Sequence, residues 1–349
     1  MKRALTAVGV AAATALAAAG CATSSAASQG GSTDAPVVLR LGFLTNITHA
    51  PALIGIDKGY FTKALGKDVK LELKPFSTGT EEGTALLAGQ LDAAYVGPNP
   101  TLKAWQTSNG KLIKVISGAA SGGAALVVKK GISTPAQLKG QKLATPSLGN
   151  TQDVALRYWL KQHHLTTTQT GGGDVPITPI TPNSAAVLQF KSGQIAGGWE
   201  PAPYDIEMVQ DGGHVLVNEA SLWPMGQFVT TNLVVTDKFL AAHASVVNGL
   251  LKGQIAANDY IHSDLSGAEA AANAELTKLL GNGLDPSVLS AAFKQVTFTN
   301  DPIAPSLAAD ARHAVSVGLL SPVKDLPTLY HLGPLNTQLK AAGEPQVSS

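Results

Sequence analysis

The chain has 349 residues, of which 44% are hydrophobic and 14% are charged, and its formal net charge is +1. This balance excludes a disordered chain, and it lacks the strong positive charge that is typical of nucleic-acid binding. Chains of this length usually divide into two domains. The composition therefore predicts a globular, two-domain protein that binds no nucleic acid.

The first twenty residues have the pattern of an export signal. Lys2 and Arg3 precede an uncharged, Ala-rich run that ends at Gly20. A charged start, an apolar stretch and small residues at its end are typical of a signal peptide. The run is also shorter than the roughly 20 apolar residues that span a bilayer comfortably. We therefore predict a signal peptide at residues 1–20.

Cys21, the only cysteine of the chain, follows this run directly. It has no partner for an internal disulfide. The residues before it resemble a bacterial lipobox, in which the thiol is lipidated, although Ala18 stands where that motif usually has Leu. We expect a lipid anchor at Cys21, followed by a flexible tether of small polar residues at 21–35. Cleavage without lipidation is the alternative.

Three strands and two helices alternate after the tether. The strands are predicted at Val37–Phe43, Val69–Pro75 and Leu91–Val96 from their aliphatic and β-branched residues. Pro51 marks the start of the first helix, and Thr78 with Glu81 forms a predicted capping box at the start of the second. Such alternation indicates an α/β fold with a parallel sheet.

The same order of elements returns later in the chain. Strands are predicted at 142–145 and 177–180, with helices capped by Asn150 and by Asn183 or Ser184. The segment Gly89–Tyr95 resembles Gly193–Trp199, 104 residues further on. Two copies of one α/β unit predict two similar lobes.

Two apolar segments link the predicted lobes. Residues 114–129 indicate one crossing strand and residues 228–235 a returning strand, and together they would form a hinge. The Ala-rich segment from Asp237 to about Leu320 is predicted to be helical and to pack on the first lobe. We therefore expect lobe 1 at residues 36–125 and 230–340, and lobe 2 at 126–229.

The candidate ligand site lies in the loops before the helix starts. Ligands of open α/β sheets bind outside the carboxyl ends of strands, and several helix N-termini can hold an anion there without Lys or Arg. These loops are small, polar and free of Lys and Arg. Each of these polar residues, taken alone, could instead be an ordinary helix cap. The candidates are Thr45, Asn46, His49, Thr78, Gly79, Thr80, Gly97, Pro98, Asn99, Ser121, Ser147, Asn150, Thr151, Trp199 and Glu200.

Four motifs resemble those of the sulfonate, nitrate and taurine substrate-binding proteins of ABC importers. They lie at 41–61, 89–93, 134–144 and 199–201, and the resemblance covers roughly residues 37–250. The resemblance implies the fold class α/β, with two Rossmann-like lobes joined by a two-strand hinge (type II periplasmic-binding-protein-like), which closes on a solute. It also implies a permease and an ATPase as partners, at the extracytoplasmic face of the bacterial membrane. We expect a monomer.

The resemblance places the carboxylate of Glu200 at the pocket. A carboxylate there would repel a bare oxyanion, and it would pair with an ammonium group or help to hold a metal. The expected solute is a sulfonate-, nitrate- or taurine-like compound, and a pyrimidine-type, bicarbonate or metal-bridged ligand is the alternative. Glu200 could instead face solvent or Arg157.

Two further side chains leave alternatives open. His49 could donate to an oxyanion or cap a helix, and Trp199 could form an apolar wall of the cleft or belong to the core. His49 and Glu200 are too few ligands to predict a metal site. The sequence has no nucleophile or metalloprotease motif, so we expect neither an enzyme nor a cofactor. The rivals are an enzyme of pyrimidine-precursor metabolism and a surface adhesion or interaction protein.

Overall fold

The computed structural model describes residues 35–349. The predicted signal peptide, Cys21 and all of the tether except residue 35 lie outside the described residues. Within residues 35–349, no helix is both long enough and apolar enough to cross a membrane.

Strands and helices alternate along most of the described chain. The strands are β1 (Val37–Leu44), β2 (Val69–Phe76), β3 (Ala93–Val96), β4 (Ile113–Gly122), β5 (Ala124–Lys129), β6 (Leu143–Thr145), β7 (Ile177–Pro179), β8 (Gly197–Pro201), β9 (Gly213–Asn218), β10 (Val229–Thr236) and β11 (Val296–Phe298). The helices are α1 (Ala50–Asp57), α2 (Tyr60–Leu65), α3 (Gly79–Leu87), α4 (Pro98–Thr107), α5 (Thr151–Gln162), α6 (Asn183–Lys191), α7 (Tyr204–Gln210), α8 (Asp237–Ala242), α9 (Ala244–Ser263), α10 (Leu265–Leu280), α11 (Pro286–Gln295), α12 (Ala304–Ser316) and α13 (Gly333–Ala342).

The strands form two separate sheets, in the orders β11-β4-β10-β3-β1-β2 and β7-β6-β8-β5-β9. We call the first sheet with its helices lobe 1 and the second sheet with its helices lobe 2. The predicted parallel pairing is confirmed for β2-β1-β3 and for β7-β6-β8. Strands β10 and β5, for which no pairing direction was predicted, run antiparallel to both of their neighbours.

The internal duplication that the sequence indicates is confirmed by the topology. Helices α3 and α6 both have nine residues, and they start at Gly79 and Asn183, 104 residues apart. The strands that follow them, β3 and β8, start at the same offset, and β3 pairs in parallel with β1 as β8 does with β6. Equivalent helix starts therefore lie at equivalent edges of the two sheets.

The chain passes between the lobes at two neighbouring places. At neither place does one continuous strand run from one lobe into the other, as the sequence had predicted. The first passage is a break at Gly122 and Gly123, where φ values of +84° and +73° favour glycine and separate β4 from β5. The second lies between β9 and β10. The two passages are linked because the Thr230 hydroxyl donates to the Gly122 carbonyl at 2.6 Å. The lobe limits 36–125, 126–229 and 230–340 stay a prediction.

Candidate functional site

Five helices begin at the gap between the lobes. Helices α1, α3 and α4 belong to lobe 1, and α5 and α6 belong to lobe 2. A cap or first residue of each helix lines one shared cavity of about 30 Å³, and these residues are His49, Thr78, Gly97, Asn150 and Asn183. We call this space the central cavity. The predicted convergence of helix starts from both lobes is therefore present in the structure.

The helix caps leave free backbone N–H groups at this cavity. Thr78 Oγ1 accepts from Glu81 N at 3.2 Å, and Asn150 Oδ1 accepts from Asp153 N at 2.9 Å. Each cap side chain accepts a hydrogen bond only from the backbone N–H of the third helical residue. The backbone N–H groups of the first two residues of α3 and α5 therefore have no partner within their helices. The predicted cap at Asn183 or Ser184 is wrong, because Pro182 takes the extended cap conformation, with φ −71° and ψ 164°. Asn183 Oδ1 is buried without a hydrogen-bond partner among the described residues.

The central cavity is polar but carries no formal charge. Among the described residues that line it there is no Lys, Arg, Asp or Glu. Its electrostatic character is therefore set by the partial positive charge of the helix N-termini, which favours a negative group. Seven of the predicted residues line this cavity, and they are Asn46, His49, Thr78, Gly79, Gly97, Asn150 and Thr151. Four further polar residues that line it were not predicted, and they are Thr48, Ser77, Gln152 and Thr230.

His49 is a neutral donor rather than a cation. It is 2% exposed, and burial lowers the pKa of its imidazole to about 3. Its Nδ1 accepts the N–H of Leu44 at 3.2 Å. Because a neutral imidazole has one N–H, the proton must be on Nε2. The side-chain cap at α1 that was the alternative is not formed, because His49 makes no cap hydrogen bond.

We expect His49 to make the protein less stable in mild acid. Between pH 6.5 and about 3 the unfolded chain binds a proton at this position that the folded chain does not, so stability falls as the pH falls, by about 1.4 kcal/mol per pH unit. His49→Gln should flatten the dependence of unfolding free energy on pH between 6 and 4. Urea titrations at several pH values measure this slope. The exposed His331→Gln is the control, and an equal slope in wild type and His49→Gln would contradict the prediction.

A second space of about 250 Å³ opens beside the central cavity, and we call it the side chamber. The two spaces share four lining residues, which are Leu44, Asn46, Ser77 and Asn183. Thr45, a predicted residue, lines the chamber. Three leucines of lobe 1 (276, 280 and 284) form its apolar side, and Tyr204 and Glu207 of α7 form its polar side. A molecule in the central cavity could therefore extend into the side chamber.

Glu207, and not Glu200, is the carboxylate at this site. Glu200 is fully buried in β8, both of its carboxylate oxygens lack hydrogen-bond partners among the described residues, and it lines neither space. Burial and the nearby Asp205 raise the pKa of Glu200. The suggested pair with Arg157 is wrong as well, because Arg157 bonds to Asp153 at 2.8 Å. Glu207 lies three residues after Tyr204, so the two side chains share one face of α7.

Trp199 is part of the core of lobe 2 and does not form an apolar wall of the cleft. It is fully buried, its ring lies 6.3 Å from that of Trp159, and its indole N–H donates to Glu219 at 2.6 Å. Within residues 35–349, no group of three or more His, Cys, Asp or Glu side chains is arranged to hold a metal.

The other predicted residues lie around the cleft. Thr80 Oγ1 lies 2.8 Å from Ser147 Oγ of the other lobe. Thr80 and Asn99 line a separate groove, while Pro98 and Ser121 line neither the central cavity nor the side chamber. Ser121 instead accepts the N–H of Phe228 at the passage between the lobes.

The lobes are closed on each other. Besides Thr80 and Ser147, Ile47 N donates to Ala202 O across the gap at 3.2 Å, and Tyr204 Oη donates to Thr45 O at 3.4 Å. Small-molecule sites usually measure about 300–1,000 Å³, so the central cavity alone is far too small for an organic solute. Entry of a solute therefore requires the lobes to separate.

Two α/β lobes, each built on a mixed sheet, with a closed cleft between them define the class of two-lobed proteins with the periplasmic-binding-protein fold. Two solved structures of this fold support that statement. The alkanesulfonate-binding protein SsuA from Xanthomonas axonopodis pv. citri, bound to MOPS, aligns with a TM-score of 0.67 and 19% identity over 82% of this chain and 95% of its own. The nitrate-binding protein NrtA from Synechocystis PCC 6803 aligns with a TM-score of 0.71 and 14% identity over 89% and 90%.

The chain belongs to the NMT1-like family, whose model matches residues 32–281. A similar relative is the taurine-binding periplasmic protein of Escherichia coli K12, which is 26% identical over 211 residues. This match covers 59% of this chain and 61% of the relative. The chain thus matches about three fifths of the length of that relative.

Proposed function

We propose that this protein is the extracytoplasmic solute-binding component of an ABC importer, without catalytic activity, and that it delivers an organic oxyanion to a permease and its ATPase. One observation carries the proposal: five helix starts, from both lobes, meet at one cavity that no charged side chain of residues 35–349 lines. Such a site can hold a sulfonate by backbone N–H groups. The names of the relatives favour sulfonate, taurine or nitrate over a pyrimidine.

The side chamber supports a solute with an organic tail. Nitrate would need only the central cavity, whereas a sulfonate such as taurine would place its tail in the adjoining 250 Å³. Glu207 and the Tyr204 hydroxyl would face an amine at the end of that tail. Burial and the nearby Asp211 raise the pKa of Glu207, and an ammonium group beside it would favour its charged form. We therefore favour an aminosulfonate like taurine.

A thermal-shift series tests the proposal. A solute that binds only the folded protein raises the melting temperature, and the stabilisation grows with the logarithm of the ratio of its concentration to Kd. We expect taurine and ethanesulfonate to raise it more than nitrate does, with no turnover of either compound. If none of the three compounds, nor bicarbonate nor a pyrimidine, shifts the melting temperature, the proposed function is wrong.

The variant Glu207→Gln distinguishes the contribution of the solute's amine to binding from that of its oxyanion. Because a hydrogen bond to a charged group contributes about 1.5–3 kcal/mol, we expect the variant to bind taurine at least about tenfold more weakly. Ethanesulfonate has the same anionic head without the amine, so its affinity should stay the same or rise. Calorimetric titration of both compounds measures the difference. Equal losses for the two compounds would contradict the role of Glu207.

The membrane attachment rests on Cys21. We expect the wild-type chain, expressed in a bacterium, to stay in the membrane fraction, because lipoproteins that carry two or more acyl chains remain stably anchored. Cys21→Ser should be released in soluble form and should not incorporate labelled palmitate. A wild-type chain that is soluble and unlabelled would show cleavage without lipidation.

A further inference from the structure

A groove separate from the proposed solute site lies between α3 and α4, and we call it the α3–α4 groove. Its volume is about 450 Å³, which falls in the range of small-molecule sites. Residues at helical spacing form its two long walls. They are Thr80, Gly83, Thr84 and Leu87 of α3, with Pro100, Lys103, Ala104 and Thr107 of α4.

The groove is closed off from the central cavity. Among the lining residues that the structure describes, the two spaces share only Pro100. The side chain of Pro100 packs so tightly on α3 that a Cβ added to Gly79 would lie 2.9 Å from Pro100 Cγ. A ligand of the groove is therefore a second molecule and not the tail of the solute.

Both lobes contribute to the groove. Leu148, Gly149 and Val154 reach it from lobe 2, and Leu319 and Leu320 reach it from the segment after α12. Leu87 and Leu148, on opposite lobes, are both exposed, by 40% and 36%. A molecule that covers both leucines would hold the lobes together.

The charge of the groove indicates the polar end of such a molecule. Lys103 is exposed, and within residues 35–349 it forms no salt bridge and no carboxylate lines the groove. The hydroxyls of Thr80, Thr84 and Thr107 lie at the same surface. An apolar channel with one cation at its edge suits a hydrocarbon chain that ends in an anion.

We propose that the α3–α4 groove is a second binding site, which takes a medium-chain amphiphilic anion with its hydrocarbon chain on Leu87 and Leu148 and its head at Lys103. Because both lobes line the groove, the amphiphile binds the closed form better than the open form. The two ligands are then linked. The amphiphile raises the affinity of the cleft for the solute by the same factor by which the solute raises the affinity of the groove for the amphiphile.

Decanoate tests the site directly, because its binding to the solute-free protein does not depend on the identity of the solute. Calorimetry should detect one saturable site, with an affinity at least tenfold lower in Leu87→Glu and in Lys103→Glu. Leu188→Glu is the matched control, since Leu188 is 65% exposed on α6 and does not line the groove. Melting temperatures should stay close to that of wild type because all three positions are exposed.

Two results would overturn the proposal. One is the absence of saturable decanoate binding, and the other is equal binding by wild type, both groove variants and the control. A loss in Leu87→Glu without any loss in Lys103→Glu would overturn the assignment of the anionic head. Neither result bears on taurine binding in the central cavity, which is measured separately.

Discussion

Replacing Gly97 by Ala is expected to weaken solute binding by about 5- to 150-fold while leaving the stability of the solute-free protein nearly unchanged. Gly97 has φ −67° and ψ 160°, a conformation that alanine adopts without strain. The added Cβ would lie 2.6 Å from Thr151 Oγ1, which belongs to the other lobe. Overpacking of this kind costs about 1–3 kcal/mol. The cost arises only when the lobes close, so it reduces affinity rather than folding stability.

Thr151→Ala provides the matched control for this clash. It removes the hydroxyl that the new methyl group would meet, so Gly97→Ala should cost much less affinity in the Thr151→Ala background than in wild type. Calorimetry on the four proteins of this double-mutant cycle measures the coupling. If Gly97→Ala costs the same affinity in both backgrounds, the closed arrangement of these two residues does not form in the complex.

Asp153→Asn is expected to cause the largest loss of stability, about 3–5 kcal/mol. Asp153 and Arg157 form an ion pair at 2.8 Å in which the side chains are 0% and 1% exposed. Removing one charge leaves the other buried without a counter-charge, which costs far more than the pair itself contributes. Asp153 Oδ2 also accepts the N–H of Gly149 at 2.8 Å, and therefore holds the loop that leads to the start of α5.

Two variants test the cause of this loss. Asp153→Asn with Arg157→Met removes both charges, and should be more stable than Asp153→Asn alone. Lys191→Met breaks an exposed ion pair with Asp211 and should cost no more than about 1 kcal/mol. Urea denaturation gives the free energies of unfolding. A cost of Asp153→Asn no larger than that of Lys191→Met would contradict the importance of the buried pair.

The position of the site could be predicted because its signals are local. Thr78 and Asn150 precede helical stretches as caps, and a cap places backbone N–H groups at a helix start whatever the rest of the fold does. The match between Gly89–Tyr95 and Gly193–Trp199 then predicted a second lobe with the same arrangement. Topology confirms this, since α3 and α6 begin 104 residues apart.

Whether the individual side chains of β8 face the cleft or the core could not be predicted in the same way. Trp199 and Glu200 are neighbours in a strand, so they point to opposite faces of the sheet. The strand continues to Pro201 and is covered by α5 on one face and α7 on the other, so both residues are buried. Where the strand ends, and which helix covers it, depends on tertiary packing. Glu207 was missed for the same reason, because its exposure to the side chamber depends on how α7 packs.

A crystal structure of the protein with taurine tests the central claim most directly. The account predicts sulfonate oxygens about 3 Å from backbone N–H groups at the starts of α3 and α5, one from each lobe, with the amine toward Glu207. Taurine held by Lys or Arg side chains, or bound to one lobe outside the gap, would contradict the claim that helix starts of both lobes hold the solute.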